Sequence, residues 1–135
     1  MSYKIETIEG IGPTYGAKVS AASIKTTDDL LDAAAAPPGR KDLAEKTGLT
    51  TTQILKWANM ADLMRINGVG EEYSELLEAA GVDTVKELRN RNAANLTAKM
   101  EEVNETRKLV RQVPALGNVE RWIAQAKEME PKLTY

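Results

Sequence analysis

The residues of this chain best placed to do chemistry are two short glycine runs. Gly10-Ile11-Gly12 precedes Pro13-Thr14-Tyr15-Gly16-Ala17-Lys18-Val19, and Gly68-Val69-Gly70 precedes Glu71-Glu72-Tyr73-Ser74-Glu75-Leu76-Leu77. Each run sets two glycines around one apolar residue, just ahead of an expected helix. Glycine permits positive φ and close backbone approach, while the apolar residue between can anchor the turn in a core. A helix beginning at Pro13 or Glu71 presents unbonded N–H groups and the positive end of its dipole. Such a turn can hold an anion; it does not make or break bonds. The small residues Gly16 and Ser74 fall where one helix would need to approach another closely.

Bond-making chemistry has little to work with. The chain has no His and no Cys, which removes imidazole acid–base catalysis, thiolate nucleophiles and zinc sites built on those ligands. Lys18, Lys56 and Lys99 are amines of the kind a Schiff base requires, but nothing in the sequence marks any of them as buried. Carboxylate pairs such as Asp28-Asp29 and Glu101-Glu102 read as helix caps and solvated faces. Gly10-x-Gly12 fails as a dinucleotide fingerprint, because the next glycine, Gly16, is one residue late and no βαβ unit surrounds it. The expectation is a non-catalytic module with no cofactor and no metal.

The elements that must position the turns are helices. Thr84-Val85-Lys86-Glu87 and Thr50-Thr51-Thr52-Gln53 read as capping boxes, and Thr26 with Asp29 as a weaker one. Pro37-Pro38 ends one helix and can open the next. Gly48 and Gly81 sit where helix C-termini need positive φ. Leu43, Ile54, Trp57 and Ala58, and again Leu76, Leu77 and Ala80, recur at helical spacing as buried stripes. Only Tyr3–Ile8 alternates like a strand, and it is too short and isolated to build a sheet. The fold expected is all-α, with about eight to ten short helices.

These helices repeat. Shifted by 58 positions, Ile8-Glu9-Gly10-Ile11-Gly12 lies over Ile66-Asn67-Gly68-Val69-Gly70, Tyr15 over Tyr73 and Leu30 over Leu88. At a slightly longer offset, Ile54-Leu55-Lys56-Trp57 resembles Val119-Glu120-Arg121-Trp122. Two related units follow, at 5–63 and 64–129, with 130–135 as a C-terminal tail. Units this small are expected to share one core.

The Gly-hydrophobic-Gly pattern with its trailing small residue resembles the helix-hairpin-helix superfamily over residues 5–31 and 63–89. More loosely, the whole chain is similar to a bacterial family of tandem helix-hairpin-helix proteins without an established function. The resemblance implies that turn amides hold a DNA phosphate from the minor-groove side without reading sequence. On this chain those positions are Gly10, Ile11 and Gly12, supported by Lys18, and Gly68, Val69 and Gly70, supported by Arg65.

Composition bounds the partners. The 135 residues are 42% hydrophobic and 28% charged, which suits a globular chain that needs no disulfides. No stretch approaches the roughly eighteen apolar residues of a membrane span, and the N-terminus lacks a signal-peptide run, so a soluble, cytoplasmic protein without membrane contact is expected. Lys plus Arg is 18 against 20 for Asp plus Glu, and the net charge of −2 argues against phosphate binding by the whole surface. Only residues 105–135 are basic. There Arg107, Lys108, Arg111, Arg121 and Lys127 cluster around Pro114, where they can meet phosphates or pair with the acidic middle segment. Trp57 and Trp122, at matching places in the repeat, are expected to anchor cores.

Two functions compete. One is weak, sequence-independent contact with the backbone of DNA or structured RNA through residues 10–18 and the C-terminal basic cluster. The other is a protein-interaction adaptor in which the turns are only scaffold; it is favoured by the acidic balance and by Glu71-Glu72, which would repel a phosphate. A third reading takes Leu43-Ala44-Glu45-Lys46-Thr47-Gly48-Leu49 with Ile54 and Trp57 as a helix-turn-helix. Its recognition helix, Thr50–Asn59, would offer Thr51, Thr52, Gln53, Lys56 and Asn59, and would require a dimer. Internal packing is the commoner use of that spacing.

Overall fold

The computed structural model describes residues 3–8 and 10–135. Among these the chain is all-helical. A 3-10 turn at Ile5–Thr7 is followed by α1 (Gly12–Ala21), α2 (Thr27–Ala34), α3 (Pro37–Thr47) and α4 (Thr51–Leu63). Then come α5 (Glu71–Ala79), α6 (Val85–Leu88), α7 (Ala93–Arg107) and α8 (Leu116–Glu128). The strand-like segment at the start makes one isolated antiparallel bridge, Lys4 to Thr26.

Side-chain caps fix where several helices begin. Thr26 and Asp29 form a full capping box, stronger than the sequence suggested: Asp29 N–H donates to Thr26 Oγ1, and Asp29 Oδ2 accepts from the amides of Lys25 and Thr26, all at 3.1 Å. The Lys25 amide first, and the Thr26 groups with it, hold the Asp29 carboxyl below its ordinary pKa. Thr50 and Gln53 cap α4 in the same way. At α6 the Thr84 hydroxyl accepts from Glu87 N–H, but the Glu87 carboxylate reaches Asp83 N–H rather than that of Thr84. Gly48 closes α3 at φ +76°, and Gly81 follows α5 at φ +95°.

The buried side chains divide into two clusters, so the expectation of one shared core is corrected. The first runs from Ile5 to Met64, and the second from Leu63 to Ala126. The physical reason lies in α4, whose consecutive terminal residues Leu63 and Met64 point to different clusters. α1 to α4 wrap one interior and α5 to α8 wrap the other. Trp57 and Trp122 anchor one each, both 4% exposed.

Residues 130–135 are more than a tail of the second unit. Leu133 inserts into the first cluster, and Thr134 N–H donates to the Ala35 carbonyl at 2.8 Å. The buried Arg40 guanidinium donates to the carbonyls of Ala34, Ala35 and Thr134. Tyr135 hydroxyl reaches Asn59 Oδ1 at 3.2 Å. The end of the chain straps the first unit. Among the described residues, no helix is long and apolar enough to cross a membrane.

Candidate functional site

The first turn is built on two left-handed glycines and a buried plug. Gly10 has φ +93° and Gly12 φ +59°, conformations that cost other L-residues about 1–2 kcal/mol. Ile11 between them is 2% exposed and pins the turn to the first cluster. Its N–H donates to the Ile8 carbonyl at 3.2 Å. The middle amide is thus used within the molecule, which corrects the expectation that all three nitrogens are open to an anion. The N–H groups of Gly10 and Gly12 have no acceptor among the described residues, and Pro13 has none to offer. The first turn of α1 carries no acid. Lys18 is exposed with Nζ 5.7 Å from the Tyr15 ring centroid, and Tyr15 in turn packs on Trp57. Glu9 lies outside the described residues.

Gly16 is buried for a reason other than helix crossing. A Cβ there would stand 2.8 Å from Glu6 Cγ, so the glycine makes room for an acidic side chain. Ser74 likewise is buried against its own helix, its hydroxyl donating to the Glu71 carbonyl one turn back at 2.9 Å.

The second turn repeats this plan with differences. Gly68 has φ +93°, Val69 is fully buried, and its N–H donates to the Ile66 carbonyl at 3.1 Å. Again the middle amide is spent. Gly70 is the N-cap of α5 in ordinary extended geometry, at φ −100°. Glu71 and Glu72 stand exposed in the first turn of α5. Beneath Gly68 lies the Trp122 indole, as Trp57 lies beneath Gly10: a Cβ would meet the indole nitrogen at 3.2 Å and 3.5 Å respectively. A pocket of about 340 Å³ opens here, lined by Asn67 and Gly68, by Tyr73, and by Asn118, Arg121, Trp122 and Gln125 of α8.

Arg65 does not support this turn toward a ligand. Its guanidinium donates to Asp62 Oδ1 at 2.8 Å and to the Glu130 carbonyl at 3.0 Å, and its side chain is 15% exposed. Asp62, buried, accepts from Val85 N–H at 2.8 Å with its other oxygen. The pair therefore ties α4 to α6 and to the last residues, which removes Arg65 from the anion-binding set. Asp62 lies only three positions from Arg65, but the contacts that fix the pair, Asp62 with Val85 and Arg65 with Glu130, span 23 and 65 positions and have no signal in sequence spacing.

The basic segment is held in place beside the second unit, not the first. Asn104 bonds both the N–H and the carbonyl of Val110, at 3.0 and 3.1 Å. Tyr73 hydroxyl donates to the Gln112 carbonyl at 3.0 Å. Arg107, at the end of α7, and Lys108 and Arg111, on this pinned loop, are exposed and, among the described residues, form no ion pair. Lys108 takes φ +50° to end α7. Pairing with the acidic middle segment is not what holds them.

The helix-turn-helix spacing serves internal packing. α4 buries Ile54, Trp57, Ala58, Met60 and Ala61 against its own unit. Gln53 is engaged with Thr50 and Asn59 with Tyr135, so two of the five residues offered to bases are occupied. The side chains that sequence reasoning did not single out are Asn118 and Gln125, three residues before and four after Arg121 on α8, so helical spacing alone places them on its face.

No solved structure matches the chain. One family model matches residues 9–129, and its description is "Domain of unknown function (DUF4332)". That match spans both glycine turns, both tryptophans and the pinned basic loop, and the chain belongs to this family.

Proposed function

We propose that the protein is a non-catalytic module that holds the backbone of DNA, or of structured RNA, weakly and without sequence preference. Residues 10–18 are its primary contact. The observation that carries this reading is the first turn itself, where two glycine N–H groups without acceptors among the described residues head a helix with no acid in its first turn. An anion there would meet backbone donors and the positive end of a dipole, and the exposed Lys18, in the last turn of the same helix, adds positive charge along α1. The helix-hairpin-helix resemblance points to the same residues. Arg107, Lys108 and Arg111 supply a second patch, and their loop is pinned, so little order is lost on contact. Glu71 and Glu72 make the second turn a poor seat for a polyanion.

Few phosphates are neutralised, so affinity is modest and falls as salt rises. The test is fluorescence anisotropy with a labelled duplex at about 50 mM salt. Saturable binding that weakens in Lys18→Glu, with helicity unchanged, is expected. No binding at high protein concentration overturns the proposal. The exposed carboxylates at the head of α5 favour a second reading, an adaptor for a protein partner. A partner retained through nuclease and high salt would support it.

A further inference from the structure

The indole nitrogen of Trp122 is a donor that the fold leaves unbonded. Trp122 is 4% exposed, yet its N–H has no acceptor among the described residues. No sealed-off side-chain nitrogen or oxygen lacks a partner among those residues, so this nitrogen keeps an opening. Trp122 and Gly68 both line the 340 Å³ pocket, and Gly68 is the residue whose missing Cβ leaves the nitrogen uncovered.

Other donors converge on the same space. Gln125 uses Oε1 to accept from Asn67 N–H at 3.0 Å, which leaves its –NH2 to donate. Arg121 holds Asn118 Oδ1 through one nitrogen, so the Asn118 –NH2 and the remaining guanidinium hydrogens are also donors. No carboxylate lines the pocket; Glu71 and Glu72 stand on α5 outside its lining. The lining offers one formal positive charge and many N–H groups.

We infer that this pocket is a binding site for a phosphate monoester, distinct from the first turn. Three terminal oxygens match a fork from Arg121 and single donors from Trp122, Gln125 and Asn118 better than the two oxygens of a carboxylate would. The Tyr73 and Trp122 rings, with centroids 5.3 Å apart, wall the space left for the attached group. The site belongs to the second unit alone. In the repeat register Arg121 falls on Lys56 and Gln125 on Met60, which is 1% exposed and has no donor.

The two tryptophans let one titration report the two turns separately. Proton–nitrogen spectra of the full chain contain one indole signal for Trp57 and one for Trp122. With inorganic phosphate, the Trp122 signal is expected to move along a saturating curve with a midpoint on the order of 1 mM. The Trp57 signal, under Gly10, reports the first turn instead, and a sodium chloride titration of equal ionic strength supplies the control. Arg121→Gln should weaken the midpoint at least tenfold, and Lys18→Glu should leave it unchanged, which separates this site from the first-turn reading. A nucleoside 5′-monophosphate and a 5′-phosphorylated oligonucleotide distinguish the source: response to both assigns strand ends, response to the former alone a free small molecule. No saturable shift of the Trp122 signal beyond the salt control, or an unchanged midpoint in Arg121→Gln, would overturn the inference.

Discussion

At Gly68 the backbone takes φ +93°, and a Cβ would stand 3.2 Å from the Trp122 indole nitrogen. Alanine there meets both a conformational cost and a contact. Gly68→Ala should lower unfolding free energy by about 1–2 kcal/mol in urea titration, whereas Gly70→Ala, in extended geometry with nothing within 4 Å of its Cβ, should be close to neutral. The glycine runs were legible in sequence because their spacing is local. Which glycine needs its left-handed conformation was not, since both runs read alike. Arg65 shows the same limit: its place beside the second turn suggested a phosphate contact, while its actual partner Asp62 is buried by helices that meet only in the folded chain.

Caps define the elements, and one of them carries a charge whose effect depends on pH. Asp29 accepts two backbone N–H groups at the head of α2, so its folded pKa is depressed. The stabilisation is fully present above the ordinary carboxyl pKa and is lost as pH falls through the folded value. Asp29→Asn should therefore lower the melting temperature clearly at about pH 7 and progressively less towards about pH 2, by circular dichroism. A difference that held constant with pH would remove the carboxylate from the cap. The Thr26, Thr50 and Thr84 caps follow from three-residue spacing, which is why those helix starts were readable. The role of α4 was not: the same spacing suits a recognition helix or a packed one, and burial of its apolar side chains decides the matter.

The whole molecule is two helical units with separate cores, tied by the α4 terminus, by Asp62 and Arg65, and by the returning residues 130–135. Removing the buried Asp62 carboxylate strands Arg65 and the Val85 N–H together. Asp62→Ala should cost about 3 kcal/mol in denaturant unfolding. Leu133→Ala should cost about 2 kcal/mol, near the low end for a core leucine because its site lies at the rim. The strap had no signature in sequence, since its six residues follow no period and all its partners lie far back in the chain. The basic loop, expected as one cluster that could join residues 10–18, is instead fastened to the second unit through Tyr73 and Asn104. The central claim is that residues 10–18 touch a nucleic-acid backbone, and amide spectra recorded during titration with a short duplex address it residue by residue. The Gly10 and Gly12 amides are expected to move most, together with those around Lys18, and to return as salt is raised. Shifts absent from that turn, or confined to α5 and its glutamates, would contradict that claim.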